Sequence, residues 1–465
     1  MSFMLSNEVN PSNVFIEQKA NVLGRWDPFY FQPELVELEK RVRKATSHCL
    51  RDFVLNMAGG STPSRSEEDL HYSNAKDGVP FLRVQNITEQ GLDLSDVKYV
   101  TRNTHEGLLK RSQVTEGNLL ITITGRIASA AVAPCGFEGN INQHSVVIKT
   151  ASNSISETLA AFFNLGIVNK LAIRRSTGGT RPALDYPALL SIPVIFDERI
   201  SLLMSIAIDR YQAQVINAKE LLASIDDLLL DELVIPCNPE RPNTIISRIF
   251  KRSFSEVTGK RFDPIANQEK RRRIEESIHF GRYPVRHLRE LVFAKKTIVD
   301  TINEGDSYIG LENIDGETGE FFATTEKESI GTAVCFEPGQ ILFPKLRPYL
   351  NKVHLATFKG ICSTEFHVFT PKGINGDYLT AFLRSRAIVG ITSLLMTGNT
   401  LPRLQTSDIE QLPIPLPPPD IQERLCTKIG DIRARALAIR EQSRADFERA
   451  KHDIEALILG KEVAE

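Results

Sequence analysis

The side chains of this chain that could grip a polyanion or read the edge of a base come in clusters. Arg126 sits in ITGRIAS, directly after an apolar run, and Asn142, Gln143 and His144 form a polar step before the next one. Arg174, Arg175, Thr180 and Arg181 surround the Gly178-Gly179 turn. The second half carries a matching set. FPKLRPYLNK places Lys345, Arg347, Asn351 and Lys352 in one loop; Ser363, Thr364 and Glu365 follow, then Arg384, Arg386 and Arg403. A guanidinium reads guanine bidentately, a carboxamide reads adenine, and Thr, Lys and Gly-turn amides hold phosphates. Glycine turns let backbone come close to a ligand. For any single residue a solvated loop explains the sequence at least as well, and His144 alone equally suits a hydrogen-bonded strand position. The weight rests on the clusters, because Arg126 and Arg347 stand at equivalent places in a repeat, beside a repeated glycine turn.

That repeat runs through the chain. TGGTRPAL at Thr177–Leu184 returns as TGNTLPRL at Thr397–Leu404, and each leads through Ile192-Pro193 or Leu412–Pro415 into a long helical pattern. Asn86-Ile87 is echoed by Asn313-Ile314, and Glu116, Leu120 and Arg126 by Glu337, Ile341 and Arg347. Arg25-Trp26-Asp27-Pro28 is echoed by Arg261-Phe262-Asp263-Pro264. The offset falls steadily, 261 − 25 = 236, 313 − 86 = 227, 347 − 126 = 221 and 397 − 177 = 220, as a duplication with small deletions produces. A unit of this length is a domain with its connector, not a solenoid repeat. Two diverged copies suit a ligand read at two places with two different messages.

Other chemistry lacks its motifs. The sequence holds no GxxxxGK[ST] phosphate loop, no GxGxxG after a strand and no HExxH. Asp27-Pro28-Phe29-Tyr30 resembles the Asp-Pro-Pro-Tyr motif of amino-methyltransferases, but no glycine-rich cofactor motif accompanies it. Its repeat copy reads Asp263-Pro264-Ile265-Ala266, so an Asp-Pro turn is the reading taken. The 465 residues, 42% hydrophobic and 25% charged, describe a globular chain of about three domains. No apolar run reaches the roughly 18 residues of a membrane span. The amino terminus lacks the basic and apolar regions of a secretory signal. Six scattered cysteines without a CxxC pair fit a reducing cytoplasm better than a zinc site or disulfide framework. Net charge is −2; residues 44–196 hold 15 Lys/Arg against 13 Asp/Glu, and residues 284–416 hold 13 against 15. Any affinity for nucleic acid must therefore come from local faces.

The elements that must position these clusters are mixed. After a loosely held leader, Pro33 to about Ser47 reads as a helix. The first body reads as α/β, with strands over Val79–Val84, Asn118–Thr124 and His144–Lys149 and a helix over Ser156–Ile173. In the second body Ser307–Asn313, Gln340–Phe343 and Glu365–Phe369 match those strands, and Gly376–Gly390 contains the matching helix. Two long helices follow the bodies. Met204, Ile208, Tyr211, Val215, Ala218, Leu222, Ile225 and Leu229 alternate three-and-four spacing, the seam of a coiled coil. Ile429, Ile432, Ala436 and Ile439 begin a second seam, which breaks phase and resumes with Phe447, Ala450, Ile454 and Leu457. Its outer face is charged at Glu423, Arg424, Lys428, Asp431, Arg433 and Arg435. Pro415–Asp420 supplies a stiff hinge, with Asp420 capping the helix. Each helix would span about 55 Å, and antiparallel packing on each other satisfies both seams. The expected fold is α/β (α+β), two pseudo-repeated globular bodies separated by two long antiparallel coiled-coil helices. Its boundaries are a leader and helical arm at 1–43, a first body at 44–196 and the central helix at 197–235. A linker with the second arm at 236–283, a second body at 284–416 and the C-terminal helix at 417–465 complete it.

With these residues in hand, the chain resembles the specificity subunit of a type I restriction-modification system. The likeness is carried by STPSR (Ser61–Arg65), VPFLRVQNI (Val79–Ile87), EGNLLITITGRIASAAVAP (Glu116–Pro134), NINQHSVVI (Asn140–Ile148), TGGTRPAL and LLSIPV (Leu189–Val194). In the second copy it is carried by ILFPKLRPYLNKV (Ile341–Val353), CSTEF (Cys362–Phe366), TGNTLPRL and QLPIPLPPPDIQERL (Gln411–Leu425). Their order, spacing and duplication make it specific over about residues 44–235 and 284–465; the leader and the basic run Lys270–Arg273 fall outside it. The resemblance implies a non-catalytic, cytoplasmic subunit whose two target-recognition domains each read one half of a split duplex DNA target. It implies that the helices set the gap and dock two copies of an adenine-methyltransferase subunit, with a motor-nuclease subunit as a further partner. S-adenosylmethionine, ATP and magnesium would then belong to those partners, and no cofactor or metal to this chain. Other readings are the recognition half of a split restriction-methyltransferase of another type, a solitary DNA-binding regulator, or a scaffold that binds peptides and no DNA. Salt-sensitive DNA affinity separates the last from the others.

Overall fold

Short apolar runs in this chain lay down strands, and apolar residues recurring every three or four positions wind into helices. The computed structural model describes residues 10, 14–17, 22, 25–178, 182–236, 244, 249–254, 262–294, 297–300, 307–323, 332–398 and 401–460. They form two units: Met1–Ala213 with Gln442–Glu465, and Gln214–Glu441. Each long helix contributes one half to either unit.

In the first unit, an antiparallel sheet runs in the order Asn56–Gly59, Ser145–Lys149, Leu119–Thr122, Ala130–Val132. A five-stranded sheet runs Tyr72–Ser73, Lys98–Val100, Val79–Leu82, Glu138–Ile141, Gln113–Thr115, with Asn140 and Phe81 in a parallel pair. Leu119–Thr122 is buried on both faces, which makes its first three residues apolar and leaves Thr122 as its one polar side chain. Leu119 and Ile121 join one core, while Leu120 faces another with Leu82 and Ile141. The second unit repeats this logic. Val292–Ala294, Phe366–Pro371, Ile341–Pro344 and His354–Leu355 form one sheet; Ile298–Val299, Ala333–Phe336, Gly360–Ser363 and Tyr308–Ile309 form the other. Ile341 and Phe343 join one core and Leu342 the second.

The helix expected over Ser156–Ile173 is two helices, Asn153–Phe163 and Gly166–Arg175, broken at Asn164-Leu165. Its counterpart is likewise Gly376–Leu383 and Arg386–Leu395, broken at Arg384-Ser385, where the Ser385 hydroxyl caps the Ile388 amide. The strand segments of the first body are shorter than expected, while in the second Ile341–Pro344 keeps the expected length and Phe366–Pro371 runs longer; Ser307–Asn313 is a two-residue strand followed by a turn of 3-10 helix.

The long helices are Glu198–Leu233 and Pro419–Ile458. Along the first, Met204, Ala218 and Leu229 are buried, and Ile208, Tyr211, Val215, Leu222 and Ile225 half-buried. Leu202, Ile206 and Ile216 on its other side are exposed. Along the second, Ile429, Ala436, Phe447 and Ile454 are buried, with Ile432 and Ile439 half-buried. The break in phase is filled by Ser443, buried, whose hydroxyl donates to the Tyr211 carbonyl at 3.4 Å. In the first unit Tyr211 packs on Phe447, ring centres 5.3 Å apart. In the second, Lys219 and Arg440 meet on the Glu317 carboxylate and Glu232 pairs with Arg424, an antiparallel order. Arg433, expected on the charged outer face, is half-buried instead. The stiff stretch expected over Pro415–Asp420 is anchored at its start, where Pro413–Pro415 pairs with Val285–His287 in a two-stranded sheet whose free edge tolerates proline's missing donor. The helix starts at Pro419, where proline's fixed φ suits a first turn, rather than after Asp420.

Candidate nucleic-acid interface

In each unit the buried strand of the main sheet ends in a loop that the glycine turn closes. In the first, Ile123 donates its amide to the His144 carbonyl at 2.9 Å and accepts from the Leu184 amide at 2.8 Å, while Thr124 bridges to Ala183. In the second, Lys345 donates to the Glu365 carbonyl at 2.8 Å and accepts from Leu404 at 2.9 Å, while Leu346 bridges to Arg403. The frame is the same bond for bond. It pairs Ile123 with Lys345, an offset of 345 − 123 = 222, and Gly117 with Gly339 by the amide bonds to Ala133 and Ala356, 339 − 117 = 222. Arg126 therefore aligns with Pro348, and Arg347 with Gly125. The expected equivalence of the two arginines is off by one residue, as is that of Leu120 with Ile341. Gly125 (φ 72°) and Arg347 (φ 48°) share left-handed backbone. That conformation is easy for glycine and costs arginine about 1–3 kcal/mol unless surroundings hold it.

The first loop presents its residues unevenly. The Arg126 side chain is exposed and lines a recess of about 170 Å³ with Glu89, Gln90, Arg444 and Glu448. The Glu89 and Glu448 carboxylates of that recess are held by Lys451 Nζ, at 2.8 and 3.2 Å. Asn142 is a turn former rather than a reader: it is buried, and its Oδ1 accepts from the His144 amide at 3.2 Å. Gln143 is exposed and accepts from the Thr62 hydroxyl. His144 Nδ1 lies 2.6 Å from the Thr124 hydroxyl. Thr62, Gln143, His144 and Thr124 are thereby brought together beside the loop.

Arg174 and Arg175 are not loop residues. Both are buried at the end of helix Gly166–Arg175 and ion-pair with Glu39. Burial opposes the charge on Glu39, but the Arg175 and then the Arg174 guanidinium outweigh it and hold the carboxyl below its ordinary pKa. Arg174 also donates to the Tyr30 carbonyl at 2.7 Å, and Arg25 to the Arg175 and Ser176 carbonyls at 3.0 and 2.6 Å. The cluster welds the N-terminal arm to that helix, so its assignment to nucleic acid is withdrawn. Asp27 caps the Tyr30 amide, the structural turn expected of Asp-Pro. Thr180 and Arg181 lie outside the described residues. The basic run Lys270–Arg273 sits on helix Glu269–His279, where Arg271 pairs with Glu275, Arg272 with Glu269 and Glu276, and Arg273 with Glu269.

The second loop, Lys345–Val353, is held from below. Lys345 Nζ donates to the Thr364 carbonyl at 2.6 Å and Lys352 Nζ to the Leu311 carbonyl at 2.7 Å; burial lowers the Lys352 pKa. Thr364 is half-buried with that carbonyl occupied. Asn351 Nδ2 donates to the Arg384 carbonyl at 2.9 Å. Arg384 is 8% exposed and inward-facing, which contradicts its placement on a binding surface. Arg403 is exposed but forks onto Glu365 at 2.7 and 3.1 Å, and that bond holds the Glu365 carboxyl below its ordinary pKa. Arg347 is exposed, and its guanidinium has no partner among the described residues. Beside it stand Tyr349 and Leu350, with Leu401 on the closing turn, all exposed. The sequence patterns that mark base readers are polar, and these three are not; apolar residues adjoining a proline in a loop were the available signal.

Residues 292–448 match the family model of the type I restriction modification DNA specificity domain. A stretch of 107 residues is 31% identical to the specificity subunit of the type I restriction enzyme EcoDI of Escherichia coli, covering 23% of this chain and 24% of that protein. The match thus spans about a quarter of the curated relative. Among solved structures, a chain from the complex assembly and conformational transition of the type I R-M system aligns with TM-score 0.38 and 13% identity, over 89% of this chain and 95% of that one. The HsdS subunit from Thermoanaerobacter tengcongensis gives TM-score 0.32 and 12% identity, over 89% and 96%. The type I restriction-modification S subunit from M. genitalium gives 0.33 and 11%, over 90% and 96%.

Proposed function

With a type I restriction modification DNA specificity domain over residues 292–448 as the premise, we propose that the whole chain is the DNA-specificity subunit of a type I restriction-modification complex. Each globular body reads one half of a bipartite duplex target, and the long helices set the gap and dock methyltransferase subunits. The observation that carries this reading is one hydrogen-bonded frame built twice with different loop chemistry: Gly125 and Gln143 in one copy, Arg347 and Tyr349 in the other. A scaffold shared by the two copies, with unlike exposed loops, supports two readers of unlike sequence. Arg347 carries the fork that pairs with guanine, and Gln143 the amide that pairs with adenine. With near-neutral bodies, specific contacts contribute more and bulk charge less, so isolated affinity is weak and partners add phosphate contacts. The chain itself does no chemistry in this reading. Base flipping and methyl transfer fall to the partner, which supplies S-adenosylmethionine, and a motor-nuclease subunit joins for cleavage with ATP and magnesium. No described helix is long and apolar enough to cross a membrane.

The test is selection of the full chain on a pool of random duplexes, with sequencing of the retained fraction over a salt series. The expected result is a motif of two unlike half-sites at one fixed gap, with retention falling as salt rises. A single contiguous motif, or no salt-sensitive retention, would contradict the reading and favour a peptide-binding scaffold.

A further inference from the structure

One position in each module reaches out of its helix to hold backbone at or just past the end of the exposed loop. In the first, Asn164 ends helix Asn153–Phe163, and its side chain both accepts from the Ala130 amide at 2.9 Å and donates to the Ala130 carbonyl at 2.8 Å. Ala130 directly follows the loop Thr124–Ser129. In the second, Arg384 ends helix Gly376–Leu383, and its guanidinium donates to four carbonyls. Nη1 reaches Asn351 at 2.6 Å and Val353 at 3.1 Å; Nη2 reaches Gly316 at 3.0 Å and Glu317 at 2.9 Å. The two positions correspond, 384 − 164 = 220, the same offset as the glycine turns, 397 − 177 = 220. Asn164 is 9% exposed and Arg384 8%, so neither can touch a duplex on the surface.

A buried guanidinium with four carbonyl partners and no carboxylate among those bonds is a poor way to gain stability. It is a good way to fix geometry, since a rigid planar fork sets four backbone oxygens at once. The loop it holds needs fixing. Within it Arg347 and Asn351 flank the turn Pro348–Leu350, and both are left-handed, with φ of 48° and 53°. Asn351 returns the bond, its Nδ2 donating to the Arg384 carbonyl at 2.9 Å. Glu317, whose carbonyl Arg384 grips, pairs through its carboxylate with Arg440 and Lys219 of the long helices.

We propose that Asn164 and Arg384 are positioning residues for base discrimination, each locking the reading loop of its own module before DNA arrives. The proposal rests on the DNA-specificity reading above and deepens it: sequence preference is set partly by residues that touch no base. Locked loops discriminate because a rigid donor fork cannot adjust to the wrong base edge.

The test uses the full chain and the same pool of random duplexes, followed by affinities for the enriched duplex and for single-base changes in each half. Arg384→Met keeps the bulk and removes the four donors; Asn164→Ala is its counterpart. Arg384→Met should lower preference at one half-site by about tenfold, leaving the other half and the salt slope unchanged. Asn164→Ala should do the same to the opposite half. A merely structural role would weaken both halves together by lowering the folded fraction. Wild-type preference at both halves in Arg384→Met would overturn the proposal. If that variant does not fold, Asn351→Gly replaces it, since glycine keeps the left-handed backbone and loses only the return bond. Loss of preference at one half then supports the proposal and wild-type preference overturns it. Arg347→Ala separates the two levels: if it alters one half-site and Arg384→Met does not, only the clamp fails. If Arg347→Ala changes nothing either, the DNA reading of this loop falls with it.

Discussion

Arg175 and Arg347 carry the same guanidinium in opposite settings, one buried against Glu39 and one exposed on left-handed backbone. Arg347→Ala should weaken duplex binding by roughly 1–3 kcal/mol with little change in melting temperature. Arg175→Met should instead lower the melting temperature, since breaking a buried pair costs about 3–5 kcal/mol. Parallel titrations and melts of both variants check this, and interchanged outcomes would reverse the assignment. His354 offers a test by pH. It is buried, its Nδ1 donates to the Gly319 carbonyl at 2.8 Å, and its buried Nε2 has no partner among the described residues. Burial first, and the Arg384 charge after it, push its pKa below the ordinary 6.5. The unfolded chain thus takes up a proton that the folded chain resists, so stability is lost as pH falls below about 6.5. Melting temperature against pH should flatten over that window in His354→Gln; parallel curves would remove the effect. Sequence alone could not sort these side chains. Arg174, Arg175 and Arg384 look like surface arginines because burial is decided by partners such as Glu39 and the Asn351 carbonyl, distant along the chain.

The long helices were the most legible elements, because a three-and-four spacing constrains one face over many turns. Every seam residue expected to pack, from Ile208 to Leu229 and from Ile429 to Ile454, is buried or half-buried. What spacing hid was Ser443, a polar residue that continues the seam by donating to the Tyr211 carbonyl. Strand register was harder to read. A match of Leu120 to Ile341 looks natural, yet a one-residue slip exchanges the two faces of a strand. Only the alternation of Leu119, Leu120 and Ile121 between two cores settles it. The helices also yield paired predictions. Ala436 is fully buried, so Ala436→Leu should cost about 1–3 kcal/mol by overpacking. Gly430 sits mid-helix with nothing within 4 Å of an added Cβ, so Gly430→Ala should stabilise by about 0.8–1.0 kcal/mol. Thermal melts of the full chain check both, and a stabilising Ala436→Leu would mean the seam is loosely packed there.

At the scale of the molecule, the duplication was readable because it repeats motifs rather than single residues. Thr177–Leu184 and Thr397–Leu404 close their loops through the same pair of bonds, Thr177 to Ala183 and Thr397 to Arg403. What motif matching could not supply is which residues differ inside the shared frame. Those differences, Gly125 against Arg347 and Asn164 against Arg384, are where two messages would be written. The most direct measurement exchanges residues 44–196 for the corresponding body of a paralogous chain and sequences the random duplexes that the hybrid retains. One half of the recognised sequence should change while the other half and the gap stay as they were. A hybrid that alters both halves, or that leaves both intact, would contradict two independent readers on one chain.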